Sequence, residues 1–269
     1  MNEIRLIVSD LDGTLLSEDH QLSDAVKRSI RRFREAGGWF TFATGRFGPS
    51  TRSIVEELDI EIPFILCNGS VLADRHKIWE MATLSLEELA PLLKEADQNG
   101  LTVMFFNEKG IRTMRHTEEV RKFELKESVQ CECIDPQSGI WGGDDTVVQK
   151  VLLIGDMNEI HALWRKYQGT FRLTYATAQS ENDFFEILPP NQSKGTALQK
   201  LMKVMQVTPD QVMSIGNQLN DVDMLERSGI GVAVANSHPD LKQKATYVCQ
   251  EGYGDGVVEA MNKFVFIKE

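Results

Sequence analysis

The chain has 269 residues, 42% of them hydrophobic and 26% charged, with a formal net charge of −11. This is the composition of a soluble globular protein of one large domain or two ordinary ones. So acidic a surface argues against a nucleic-acid partner and against docking on an anionic membrane, while a small phosphorylated substrate needs only local positive charge.

Ile4 to Val8 is a short apolar run of the kind a buried strand shows. It stops on Asp10 and Asp12, with Gly13 behind them to allow a sharp turn. Positions i and i+2 of an extended segment project to the same side. Two like charges there repel and ask for a cation or a shared proton. A calcium loop is excluded, because an EF-hand needs Gly sixth and Glu twelfth, and here Gly13 is fourth and Gln21 twelfth. A plain polar turn stays open for this run taken alone.

Helical spacing of Val26, Ile30 and Phe33 predicts a helix from Ser23, a capping residue, to Gly37. A second strand, Trp39 to Ala43, ends in Thr44-Gly45-Arg46. A helix from Pro49 to Leu58, a third strand from Pro63 to Cys67 ending in Asn68-Gly69, and a hairpin of Val71–Ala73 with Ile78–Met81 follow. Strand, helix, strand, helix, strand is the signature of a parallel sheet. The rhythm then changes. Leu84 to Asn99 reads as a helix, 102–106 and 111–115 as strands, and Glu118 to Lys126 as a charged, exposed helix. Residues 136–145, rich in Gly and Asp, read as a mobile loop. Val147–Ile154 reads as a strand, Glu159–Tyr167 as a helix, and Phe171–Thr177 with Phe184–Leu188 as a hairpin. A helix followed by two strands thus occurs twice, a weak internal repeat. After Pro189-Pro190 the first rhythm returns: helix Lys194–Met205, strand Val212–Ile215, helix Val222–Arg227, strands at 231–234 and 247–249, and a last helix from Val257. The expected class is α/β. A Rossmann-like parallel-sheet core of residues 1–82 and 187–269 carries an inserted α+β domain of residues 83–186.

Cys67, Cys131, Cys133 and Cys249 form no CxxC, which fits a reducing cytoplasm; Cys131 and Cys133 read as packing residues. No apolar run approaches the roughly 18 residues of a membrane span, and no signal peptide is evident. The five histidines lack ligand spacing and read as surface or satisfied groups.

Four polar clusters stand at strand ends or helix starts: Asp10/Asp12, Thr44-Gly45, Lys194 and Asn217 with Asn220-Asp221. In a parallel sheet these junctions share one edge, so distant residues can meet there. The inventory suits a metal-bound phosphoryl group, with magnesium on oxygen ligands and lysine as a point charge. Taken singly, each cluster also reads as a structural cap or turn.

Together Asp10-Leu11-Asp12-Gly13-Thr14-Leu15, Ala43-Thr44-Gly45-Arg46, Ser193-Lys194-Gly195-Thr196 and Gly216 with Asn220-Asp221 resemble the haloacid dehalogenase (HAD) superfamily of aspartate-nucleophile phosphatases. The order and spacing look most like its Cof-type branch with a type IIB cap. The resemblance implies a cytoplasmic, Mg2+-dependent phosphatase, monomer or homodimer, acting on a small phosphorylated metabolite such as a sugar phosphate or a cofactor precursor. It implies Asp10 as nucleophile, Asp12 as acid and base, and Lys194 as charge stabiliser. Leu11, Thr44, Gly45, Lys194 and Asn220 would hold phosphate. Asp10, Asp12 and Asn217 would hold the metal, with Asp221 serving the metal shell or Lys194. The inserted domain would close over the site and select the substrate. Arg46 could contact substrate or pair with an acid. Asn217 departs from the family pattern, which has an aspartate there, so weaker magnesium binding is expected. A phosphomutase and a phosphate-binding protein without turnover are the alternatives.

Overall fold

A computed structural model describes residues 3–135 and 147–266. The loop expected over 136–145 lies outside the described residues. In chain order the elements are β1 (Leu6–Ser9), α1 (Asp24–Glu35), β2 (Trp39–Phe42), α2 (Gly48–Glu57), β3 (Phe64–Leu66), β4 (Val71–Ala73), β5 (Ile78–Met81) and β6 (Leu84–Ser85). There follow α3 (Leu86–Gln98), β7 (Thr102–Asn107), β8 (Gly110–Thr113), α4 (Glu118–Glu127), β9 (Cys131–Cys133), β10 (Val147–Val148), β11 (Lys150–Ile154), α5 (Met157–Tyr167), β12 (Ala176–Glu181) and β13 (Phe184–Leu188). The chain closes with α6 (Lys194–Met205), β14 (Val212–Gly216), α7 (Val222–Arg227), β15 (Ile230–Ala233), α8 (Pro239–Lys244), β16 (Tyr247–Val248) and α9 (Tyr253–Met261). Two compact units result, one of residues 1–46, 51–80 and 193–269, the other of 47–50 and 81–192.

The first unit holds a sheet in the order β16-β15-β14-β1-β2, parallel at every pairing. β1 lies inside it with a neighbour on each side, and all four of its residues are buried. That is why it reads as an unbroken apolar run rather than an alternating one. Leu6 and Val8 pack into a layer with Leu198 and Leu201 of α6 and Met224 and Leu225 of α7. The period of two carries Asp10 to that same side, toward α6. α1, capped by the Ser23 hydroxyl on the Val26 N–H, packs with α9. A parallel bridge from Ala43 to Ile65 joins the end of β2 to β3, which opens a three-stranded sheet in the order β3-β4-β5.

The second unit is a six-stranded sheet in the order β12-β13-β11-β7-β8-β9, antiparallel except between β8 and β9. α3 and α5 cover one face, where Leu89, Leu93, Ile160 and Leu163 meet Val103, Phe105, Val151, Leu153, Phe185 and Ile187. The two helix-then-hairpin segments of the sequence are α3-β7-β8 and α5-β12-β13.

The α/β class holds, with differences in detail. Leu84 and Ser85 pair with β10 instead of starting a helix, and Ser85 then caps α3. α4 is amphipathic rather than exposed: Val120 and Phe123 are buried, and Phe123 stacks edge-on against Phe106 at 5.8 Å. Phe171 and Tyr175 precede the strand and form an aromatic contact at 5.6 Å, with β12 starting at Ala176. α8 shows no amphipathic repeat, since only Leu241 of its six residues is buried, and its sequence signs are limited to Pro239 at the start and lysines at the end. Among the described residues no helix is long and apolar enough to cross a membrane.

Candidate active site

β1 delivers Asp10 to the carboxyl edge of the parallel sheet. The Asp10 N–H donates to the Ile215 carbonyl at 2.8 Å, so Asp10 stands beside the end of β14. On the other side the Ala43 N–H donates to the Ser9 carbonyl at 2.9 Å, which sets Thr44 at the neighbouring strand end. The chain turns over Leu11–Leu15, with Gly13 at φ +78°. A Cβ on Gly13 would lie 2.2 Å from Asn217 Nδ2, so both conformation and space reserve that position for glycine. Asn217 itself is fixed by the Thr14 hydroxyl, which donates to Asn217 Oδ1 at 3.1 Å.

α6 supplies the ammonium. Ser193 and Thr196 form a capping box, which places Lys194 in the first turn. Lys194 Nζ donates to Asp10 Oδ1 at 2.6 Å and to Asp221 Oδ1 at 2.7 Å, with Lys194 only 1% exposed. Asp221 Oδ2 accepts from the N–H groups of Asn217 and Gln218 at 2.9 and 3.0 Å. Both oxygens of Asp221 are therefore engaged. Of its two expected places, the metal shell and beside Lys194, its bonds reach Lys194 and the main chain at Asn217 and Gln218.

Thr44 is 1% exposed, and its hydroxyl accepts from the Arg46 N–H at 3.1 Å. Leu11 is buried within the first turn, while Gly45 is partly exposed beside Thr44. Arg46 grips Asp12 with two bonds, Nε to Oδ2 at 2.8 Å and Nη2 to Oδ1 at 2.6 Å. His20 Nδ1 adds a third contact to Asp12 Oδ1 at 3.0 Å. Sequence reasoning passed over His20 as a scattered histidine; it reaches Asp12 because the Ser17–Gln21 turn folds back on the motif. The Asn220 amide donates to Asn68 Oδ1 at 3.0 Å. Asn68 is the other residue the sequence reading left unassigned.

The charges do not balance. Asp10, Asp12 and Asp221 face Lys194 and Arg46, three carboxylates against two cations. Burial is the largest influence on Asp10; Lys194 opposes it, Asp221 and Asp12 add to it, and the carboxyl is pushed up to about 7. Burial disfavours the Lys194 ammonium, but Asp10 and Asp221 outweigh it and hold lysine above its ordinary value.

A divalent cation suits this excess of negative charge. Among the described residues no cluster of three or more His, Cys, Asp or Glu side chains could hold one. The donors that fit are the Asp10 carboxylate, the Asp12 main-chain carbonyl and the Asn217 amide oxygen, all hard oxygen ligands.

Fold and site together define an α/β enzyme with its acidic pair at a strand end. A family model of haloacid dehalogenase-like hydrolases matches residues 7–261. The chain belongs to that family. Putative phosphatase YxeH of Bacillus subtilis is 26% identical over 275 residues, covering 98% of this chain and 99% of that protein. The HMP-PP phosphatase of Cronobacter sakazakii is 28% identical over 242 residues, 88% of this chain and 86% of that protein. A solved subclass IIB sugar phosphatase of the same superfamily is similar in fold, with a TM-score of 0.84 at 21% identity over 97% of this chain and 98% of that one. The phosphatase class expected from the motifs agrees with the names these relatives carry.

Proposed function

We propose that this chain hydrolyses the phosphate monoester of a small metabolite through an aspartyl-phosphate on Asp10. Asp10 attacks phosphorus, the bond to the leaving oxygen breaks, and Asp12, entering the step protonated with one Arg46 bond opened, gives its proton to that oxygen. Asp12 then takes a proton from the water that attacks the aspartyl-phosphate, and inorganic phosphate leaves. Lys194 holds Asp10 in line and balances charge on the transferring group. Leu11, Thr44, Gly45 and Asn220 bind the phosphoryl oxygens, and Arg46 and His20 orient the Asp12 carboxylate. Asp10, the Asp12 carbonyl and Asn217 would hold Mg2+, which would supply neutralising charge for the meeting of two anions. Asp221 supports Lys194 and the Asn217 main chain.

The observation that carries this reading is the buried bond of 2.6 Å between Lys194 and Asp10, reinforced from Asp221. An ammonium locked on the first carboxylate of the acidic pair positions a nucleophile; an ordinary polar turn has no use for it. We assign residues 83–186 to the cap, which selects the substrate. The relatives' names support a sugar phosphate or a phosphorylated cofactor precursor as substrate class. The free cysteines and the absence of a spanning helix among the described residues support a cytoplasmic enzyme. A metabolite panel assayed for released phosphate with wild type and Asp10→Asn tests the reading. Wild type is expected to release phosphate in the presence of Mg2+ and the variant to lose at least about a thousandfold, in the range typical of a lost nucleophile. Equal release by both would remove Asp10 from the mechanism.

A further inference from the structure

Two polar atoms at the edge of the site have no partner. Asn68 Nδ2 and Asn220 Oδ1 are both buried and unbonded, although the two amides bond each other through Asn220 Nδ2 and Asn68 Oδ1. Asn68 is 1% exposed. Buried amide groups are almost always satisfied, so an unsatisfied donor and an unsatisfied acceptor side by side need a reason.

The surroundings place the pair in the phosphoryl site. The Asn68 N–H donates to the Thr44 carbonyl at 3.0 Å. A Cβ on the next residue, Gly69, would lie 2.1 Å from the Ser193 carbonyl, directly before Lys194. Asn220 directly precedes Asp221, which holds Lys194. Cys67, Asn68 and Gly69 stand in succession at φ +49°, +51° and +99°. Left-handed backbone is tolerated by Asn and Gly and disfavoured for Cys, so the surrounding structure enforces this turn.

We propose that Asn68 is a specificity-determining residue, which with Asn220 binds a substrate hydroxyl lying near the phosphoryl group. This rests on the phosphatase reading above and narrows its substrate class. A phosphoryl oxygen only accepts, so it satisfies the amide N–H and leaves the carbonyl empty. A hydroxyl both donates and accepts, and so fills both places. Turning both amides over exchanges which residue offers the donor and leaves the same requirement. The pair therefore favours phosphate esters of polyols and sugars over aryl phosphates, which lack the hydroxyl. A site built to bond a substrate hydroxyl discriminates strongly against analogues without it, because its buried groups are then left unpaired.

The test compares kcat/KM for glycerol 1-phosphate, a hexose phosphate panel and p-nitrophenyl phosphate in wild type and Asn68→Gly. Glycine accepts the left-handed backbone at position 68, so this variant removes the side chain without straining the turn. A thermal midpoint close to wild type checks that the Asn68→Gly variant is folded. The expected result is a loss on the order of 10- to 100-fold for the best hydroxyl-bearing substrate, and under about threefold for the aryl phosphate. Equal losses on both substrate types would reduce Asn68 to a structural brace and overturn the proposal. So would a wild type that hydrolyses the aryl phosphate as well as every hydroxyl-bearing ester. A wild type that releases no phosphate from any ester would instead defeat the phosphatase reading itself.

Discussion

Under the proposed ligand set, Asn217 would set the charge of the ion site. It is 6% exposed, and its oxygen would be the third donor after the Asp10 carboxylate and the Asp12 carbonyl. An amide brings a lone pair and no charge, so the site attracts a divalent cation through one carboxylate ligand rather than two. Asn217→Asp adds a charge next to the ion, worth several kcal/mol at an effective dielectric of about 20, less the cost of burying a new carboxylate. The net expectation is a fall in half-saturating Mg2+ on the order of tenfold. The same variant without metal is expected to be less stable than wild type by about 1–2 kcal/mol, since a fourth carboxylate then joins three that share two cations. Magnesium titrations of activity and metal-free thermal melts measure the two effects separately. An unchanged half-saturation point would take Asn217 out of the ligand set.

At the level of single elements, the start of α6 is the part on which the ammonium depends. The Ser193 hydroxyl accepts from the Thr196 N–H at 3.1 Å and also donates to Asp223. Lys194 is the first residue inside this cap. Ser193→Ala is expected to cost about 1 kcal/mol and to lower the thermal midpoint by about 2–4 °C. Its kcat is expected to fall more than its affinity for substrate, because Lys194 loses part of its anchoring; calorimetry and steady-state kinetics read the two. This element was legible in the sequence, as were β1, β2 and β14, because each is a buried apolar run or an amphipathic repeat that ends in polar residues at one place. What periodicity cannot show is a turn. Asn68 and His20 lie in short irregular segments, and what gives them meaning is the residue opposite. Asn68 meets Asn220 across 152 positions, a pairing set by sheet order and by no local pattern. The aromatic stretch from Phe171 misled in the opposite sense, since it alternates like a strand yet packs as a ring cluster ahead of β12.

For the molecule as a whole, the proposed ion site would link folding to ion binding. Burial raises Asp10 from 3.8 to about 7, so the folded chain holds a proton there more readily than the unfolded chain does. A carboxyl raised in the folded state adds stability that is complete below about pH 3.8 and is lost as the pH climbs to about 7. The metal-free protein is therefore expected to lose stability as the pH rises across that window. Above pH 7 the folded protein carries an ionised Asp10 that a cation stabilises, whereas at pH 5 the ion must displace a proton. Mg2+ is therefore expected to raise the thermal midpoint more at pH 7.5 than at pH 5, and Asp10→Asn, which cannot ionise, is expected to gain on metal-free wild type as the pH rises between those values. Melts in chelator and in excess Mg2+ at constant ionic strength measure both, since constant salt holds the screening length fixed while the net charge itself changes with pH. Parallel midpoints for wild type and Asp10→Asn across the whole range would mean that the strand-end carboxylate bears no such linkage.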